Sequence, residues 1–368
     1  MISSPATALA SPPSPPLEPS PWREPLRLEG SGTGRLLRCR VLQSPLAGVS
    51  DRIFRGLVRR WAPEALLFTE MVHATSLEQG QGRQRLEDLA GEIGPIAVQL
   101  FDHRPAAMAE AARRAEAAGA FLIDINMGCP VRKVARKGGG SGLLRDPELA
   151  ARVVAAVASA VAIPVTVKTR LAWQGIEPGD ARTAAAIAWC QRLREAGAQL
   201  LTLHGRSREQ GFAGQADWSA IAAVKRALPI PLIANGDIRG PADAWRCLAI
   251  SGADGVMVGR GSLGAPWVVG QIAAALDQRP VPPTPRPEER LALAAEQLRA
   301  LLTERGDHGL LIARKHLGWA CAGFPGAQEL RQALLRAPTP DDALTLLSRA
   351  RDHWSAISGG QGSTGGQL

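Results

Sequence analysis

Residues 199–261 read QLLTLHGRSREQGFAGQADWSAIAAVKRALPIPLIANGDIRGPADAWRCLAISGADGVMVGRG. Three short apolar runs, QLLTLHGR, IPLIANGD and DGVMVGRG, each end in polar or glycine residues. Amphipathic stretches at 217–227 and 240–250 lie between them. Apolar runs without alternation are expected of strands covered on both faces of a parallel sheet. REAGAQ (194–199) and AISGADG (249–255) share one design, a helix end, a glycine stop and the next strand.

The same alternation extends upstream through RVLQSPLAG (40–48), ALLFTEM (65–71), PIAVQL (95–100), AFLIDIN (120–126) and IPVTVKTR (163–170). Helical stretches at 51–61, 104–118, 146–159 and 180–196 separate most of them. Eight strand–helix units in about 240 residues predict an α/β fold, a TIM (β/α)8 barrel. A doubly wound sheet, the alternative, usually has fewer strands and carries its glycine motif after the first one. Beyond residue 277 the proline-rich DQRPVPPTPRPEER leads to helical stretches at 287–304, 307–322, 326–336 and 340–356. The expected organisation is a disordered Pro/Ser-rich tail over 1–36, a barrel over 37–277, a linker over 278–286, a helical domain over 287–356 and a flexible tail over 357–368. On that reading the chain can be shortened to about residue 30 without loss of activity.

The chain of 368 residues is 45% hydrophobic, enough for a large core, and carries a net charge of +9. A basic surface suits an anionic partner. The five cysteines (Cys39, Cys129, Cys190, Cys247 and Cys321) include no C-x-x-C pair, which argues against a zinc site or a disulfide framework. No metal is expected, and a reducing cytoplasm fits. No apolar run approaches the length of a membrane span, and the N-terminus lacks the features of a signal peptide. A monomer is expected.

In such a barrel the functional residues gather at the C-terminal ends of the strands. Here those ends carry Gln99, then Asp124, Asn126 and Cys129, then Lys168 and Arg170, then His204 and Arg206, and finally the NGD of 235–237 and the GRG of 259–261. Glycine motifs after the last two strands suit a phosphate, with Arg260 adding charge. Lys168 is placed to face a cofactor ring, and Gln99 and Asn126 offer amides to a heterocycle edge. Cys129 has no His–Asp partner pattern nearby, so a proton donor suits it better than a nucleophile. Arg132, Lys133, Arg136 and Lys137 form a basic loop just after it, suited to phosphates.

The stretches SPLAGVSDRIFR, TEMV, GPIAVQLF, IDINMGCPVRKVARKGGGSGLL, PVTVKTRLAW, LTLHGRSREQGFAG, PLIANGDI, GADGVMVGRGSLGAPW and ARKHLGW lie in order between residues 44 and 319. Together they resemble the tRNA-dihydrouridine synthases, most closely the bacterial B-type branch. The resemblance implies FMN-dependent, NADPH-linked reduction of the C5=C6 bond of D-loop uridines in tRNA, with hydride from flavin N5 and a proton from Cys129. It implies backbone contacts to FMN from Pro45, Leu46 and Ala47, where Leu46 replaces a usual Met. Gln99 and Lys168 would meet the isoalloxazine ring. His204, Asn235, Gly236, Asp237, Gly259 and Arg260 would hold the ribityl-phosphate end. Asn126, Arg132, Lys133, Arg136, Lys137 and Arg206 would face tRNA, gripped also by the helical domain, and glycines 138–140 would let the basic loop close. The rival readings are a dihydroorotate dehydrogenase-like flavin barrel acting on a free pyrimidine, which needs no basic loop, and an RNA-binding protein that has lost catalysis.

Overall fold

The computed structural model describes residues 21–174 and 180–360. Eight parallel strands run β1 Val41–Gln43, β2 Leu67–Phe68, β3 Ile96–Phe101, β4 Leu122–Met127, β5 Val165–Arg170, β6 Leu200–His204, β7 Leu232–Asn235 and β8 Gly255–Val258. Their spatial order is β1-β8-β7-β6-β5-β4-β3-β2. The seam between β1 and β2 is bridged by the Gln43 N–H donating to Leu66 O at 3.1 Å. This is the barrel expected from the alternation. The sequence reading did not mark three further pieces: the two-residue strand Val72–His73 paired with β3, the short helices between β2 and β3, and the helix Val268–Leu276 that closes the last unit.

Alternate residues of each strand face opposite sides. Outward-facing Val98, Ile123, Ile125, Val165, Val167, Leu201, Leu203, Val256 and Val258 join the core shared with the surrounding helices. Inward-facing residues form layers. Ala97, Leu122, Leu200, Ile233 and Met257 make an apolar layer with Leu42, Leu66 and Phe68. Register then sets Gln99 beside Asp124, Asp124 beside Thr166, Asn126 beside Lys168 and Asn235 beside His204, one polar tier above another. Short acidic caps start several helices: Asp51 accepts from Phe54 N–H, Asp146 from Leu149 N–H and Asp217 from Ala220 N–H, at 2.8, 2.9 and 2.8 Å.

The expectation of a disordered tail to residue 36 is corrected for its described part. Leu26–Leu28 and Arg35–Leu37 pair as an antiparallel hairpin. Its Leu26, Leu28 and Leu37 are buried against the apolar layer inside the barrel. A barrel needs its open bottom covered, and the Leu-Arg-Leu pattern supplies one apolar face for that purpose. Shortening the chain to residue 30 would remove one strand of this plug. Residues 1–20 of the proposed tail lie outside the described residues.

Helices Pro287–Arg305, His308–Ala320, Ala327–Arg336 and Pro340–Gly360 form the expected C-terminal domain around Leu291, Leu298, Leu317, Leu334 and Leu347. The last helix runs to Gly360, past the boundary of 357 at which a flexible tail was expected. The domain docks on the barrel through exposed Arg52–Glu304 and Arg60–Glu296 pairs and through His316, 6.1 Å from Phe54 between ring centres. Exposed pairs contribute little, so the apolar contacts carry more of this docking.

Candidate active site

The strand ends converge on a cleft of about 370 Å³, within the usual range for a small-molecule site. Pro45, Leu46, Ala47, Gln99, Asn126, Cys129, Lys168, His204, Asn235, Gly236, Asp237, Gly259 and Arg260 all line it. So do Ser44, Met71, Phe212 and Arg239, which no sequence pattern marked, and Arg170, expected on the polar rim without a specific role.

At the centre, Lys168 Nζ donates to Asn235 Oδ1 at 3.0 Å, and Asn235 Nδ2 donates to Met257 O at 2.9 Å. Burial, helped by the charge of Arg170 and opposed by Asp124, pushes the Lys168 ammonium down to about 8. It is therefore a cation at neutral pH, hydrogen-bonded to a neutral amide, with its charge available to a ligand. His204 is pushed well below the ordinary histidine value, first by burial and then by Lys168, Arg170, Arg206 and Arg260. It stays a neutral imidazole.

Cys129 stands on the turn after β4, where Asn126 Oδ1 accepts from the Gly128 and Cys129 N–H groups at 3.1 and 2.9 Å. Burial pushes the thiol above its ordinary value, against the pull of the Val131 backbone and of the Arg170 and Lys168 charges. The group keeps its proton at neutral pH, as a proton donor must and an activated nucleophile must not. Arg170 is buried, and its Nε donates to Gly128 O at 2.8 Å while Nη1 donates to Ser207 O and Gly211 O, both at 2.9 Å. It ties the Cys129 turn to the loop after β6. Its signal was legible, because Arg170 stands two residues beyond Lys168 and so shares its inward face.

At the other end, Gly236 takes φ 119°, and a Cβ there would lie 2.7 Å from Ala216 Cβ and 2.9 Å from His204 Cδ2. A Cβ at Gly259 would touch only Ser44, at 3.7 Å, so its missing side chain leaves open cleft. The Arg260 guanidinium lies 4.6 Å from the Phe212 ring centre, and Phe212 is 56% exposed at the mouth. An open glycine-lined end beside an arginine, and a half-buried ammonium at the centre, form a donor set that fits an anionic tail and a polar ring. The residues present fit a flavin with an anionic tail.

Three expectations need correction in detail. Arg206 was expected to face tRNA, but it is 1% exposed. Its Nε donates to Ala213 O at 3.0 Å, and its Nη2 donates to Gly214 O at 2.6 Å and to both Asp237 oxygens at 2.9 and 2.7 Å. With its donors directed inward, it braces the loop after β6. Asp237 was expected at the phosphate end. Burial pulls its carboxyl up, but the Ala216 N–H and the Arg206 and Arg260 charges outweigh that and hold it below the ordinary range. An anionic side chain repels phosphate, so only the Asp237 backbone suits that role. Leu46 was expected to contact FMN through its backbone. Its N–H donates to Ser50 Oγ at 2.9 Å, and its C=O accepts from Val49 and Ser50, so the turn consumes both groups.

The basic loop also differs from expectation. Arg132, Lys133, Arg136 and Lys137 are exposed, but Arg132–Arg136 is a short helix outside the cleft. The glycines after it are closely packed in this structure. A Cβ on Gly140 would lie 3.1 Å from Cys129 Cβ, and one on Gly142 would lie 2.5 Å from Ala135 O. Among the described residues, no group of three or more His, Cys, Asp or Glu could hold a metal ion, and no helix is long and apolar enough to cross a membrane.

Fold and cleft together suit a barrel enzyme for a polar ring with an anionic tail, with the Cys129 thiol beside it. Residues 42–354 match the dihydrouridine synthase (Dus) family, and the chain belongs to that family. It is 49% identical over 332 residues to a probable tRNA-dihydrouridine synthase 1 of Synechocystis sp., covering 90% of this chain and 91% of that one. It is 41% identical over 324 residues to the tRNA-dihydrouridine synthase B of Xanthomonas axonopodis pv. citri, covering 87% and 94%. Among solved structures, histamine dehydrogenase from Rhizobium sp. 4-9 superimposes with a TM-score of 0.54 at 15% identity, over 70% of this chain and 48% of that one. At that identity the likeness speaks for the barrel fold alone.

Proposed function

We propose that this protein reduces the C5=C6 bond of D-loop uridines in tRNA to 5,6-dihydrouridine, using FMN and NADPH. The observation that carries this is that the Cys129 thiol and the half-buried Lys168 ammonium line one cleft in a chain of the dihydrouridine synthase family.

FMN, when bound and reduced by NADPH, supplies the hydride for C6 of the uracil. Lys168 would hold its positive charge against the ring's electron-rich edge, where a preorganised cation is worth most in a site shielded from water. His204, Arg260 and the backbone of Asn235, Gly236, Asp237 and Gly259 would hold the ribityl-phosphate. Pro45, Leu46 and Ala47 would flank the cofactor, with Leu46 offering its side chain. Cys129 would give its proton to C5, and a thiol suits this step because it approaches an apolar ring face without a charge. Asn126 would sit beside the base. The uridine must leave its stack to reach a barrel mouth. Exposed Arg132, Lys133, Arg136 and Lys137 would meet the flanking phosphates, and the helical domain would take a further part of the tRNA.

The five unpaired cysteines favour the cytoplasm. The test is incubation of purified protein, FMN and NADPH with unmodified tRNA, followed by a mass-spectrometric map. A two-dalton gain on a D-loop uridine is expected. NADPH oxidation without any gain on tRNA would overturn the proposal and favour a free pyrimidine.

A further inference from the structure

Beneath the cleft, inside the barrel, four buried polar side chains form a continuous chain. Thr166 Oγ1 donates to Asp124 Oδ1 at 2.6 Å, and Gln99 Nε2 donates to Asp124 Oδ2 at 2.6 Å. Asn126 Nδ2 donates to Gln99 Oε1 at 2.7 Å. Asn126 Oδ1 then accepts the Gly128 and Cys129 N–H groups. Asp124, Gln99 and Thr166 are each 1% exposed, and Asn126 is 8% exposed.

The chemistry of each end fixes the polarity of the whole. Backbone N–H groups only donate, so Asn126 must turn its oxygen to the Cys129 turn and its NH2 to Gln99. Gln99 must then receive on its oxygen and donate from its nitrogen, and that nitrogen needs an acceptor. A carboxylate is the one side chain that accepts without competing as a donor. Burial pushes Asp124 up to about 6, against the Gln99 and Thr166 bonds and the Lys168 charge, so above that pH it accepts only. The apolar tier below gives Gln99 no other partner.

We propose that Asp124 is a positioning residue for Cys129: it accepts from Gln99, and the two amides pass that polarity to the turn that carries the thiol. A role for Cys129 in the reaction rests on the functional reading above; the relay itself does not. It also narrows what Gln99 and Asn126 can offer a ligand. Each has its carbonyl oxygen and one amide hydrogen committed within the barrel; Asn126 Nδ2 also reaches Met71 Sδ at 3.8 Å, so it is Gln99 that keeps an uncommitted donor hydrogen.

The test uses two variants of the full chain. Asp124→Leu keeps the shape and removes the acceptor. Asp124→Asn with Gln99→Glu moves the carboxylate one step along. There it would accept from both neighbouring amides and leave Asn126 in its native polarity. Alkylation of Cys129 by iodoacetamide, followed by peptide mass spectrometry, needs neither flavin nor tRNA. In Asp124→Leu the rate should rise by about fivefold, the equivalent of one hydrogen bond lost from the turn. The double variant should return it to within about twofold of wild type. With tRNA, Asp124→Leu should lower kcat with KM little changed; the double variant is read by alkylation alone, because Gln99 itself lines the cleft. Unchanged alkylation in Asp124→Leu, or a folded double variant that fails to recover, would overturn the relay. Should Asp124→Leu not fold, the double variant decides alone, because only a rebuilt relay predicts a wild-type alkylation rate with both native residues replaced. Wild-type protein that forms no dihydrouridine would defeat the functional reading, while the alkylation series still decides the relay.

Discussion

Arg206→Met separates a brace from a tRNA contact. The substitution keeps most of the aliphatic length and removes every donor. Two backbone acceptors, Ala213 O and Gly214 O, lose their partners, and Asp237 loses a two-oxygen ion pair at 2.7 and 2.9 Å. Breaking a buried pair by removing one partner costs about 3–5 kcal/mol. The Asp237 side chain is 21% exposed and keeps Arg260 at 3.3 Å, so the lower end, about 3 kcal/mol, is the appropriate figure. Chemical denaturation should show that loss, with Tm lower by roughly 5 °C or more. The pH dependence has a definite sign. Asp237 is held below its ordinary value, so its stabilisation is present above the ordinary carboxylate range and is lost as pH falls through the folded-state value. The gap between wild type and variant should therefore narrow in acid. A variant of wild-type stability with weakened tRNA binding would refute the brace and restore Arg206 to the substrate surface.

Cys129→Ala should keep flavin binding and NADPH oxidation while slowing dihydrouridine formation by ~10²-fold or more, measured by single-turnover mass spectrometry; near-normal turnover would remove the thiol from the reaction. FMN affinity of the flavin-free protein, followed by fluorescence quenching, should fall as pH rises through about 8, where Lys168 loses its proton, and Lys168→Met should abolish that pH dependence. Leu28→Ala in the hairpin, where Leu28 is 1% exposed, should cost about 2–5 kcal/mol in denaturation; a loss under ~0.5 kcal/mol would mean the plug is dispensable. Lys133→Glu with Arg136→Glu should weaken tRNA binding and flatten its salt dependence by roughly one to two units of slope, without altering FMN affinity.

The barrel and most of its cleft were legible in the amino-acid sequence because both depend on short-range pattern. Apolar runs interrupted by glycine stops set the strand–helix alternation, and residues two apart on a strand share a face. A polar residue near the end of an apolar run thus already points to one rim, as Gln99, Asn126, Lys168, His204 and Asn235 do. What the pattern leaves undetermined is which neighbour each polar group bonds. Arg206 and Arg132 are both basic residues after a strand, yet one is buried beneath Asp237 and the other is exposed on a short helix. Leu26–Leu28 follows a proline-rich stretch and is too short to register as a strand, and only the open bottom of the barrel gives its leucines a place to be buried. The polarity of the Asp124–Gln99–Asn126 chain arises from two strands in register, a relation between residues 25 to 27 positions apart that local sequence does not encode. Sequence by itself determined the barrel and its polar rim, because backbone periodicity and strand-end chemistry are local. Tertiary structure alone decided which of those polar groups face a ligand and which hold the others in place, because burial and hydrogen-bond partnership exist only once distant strands meet.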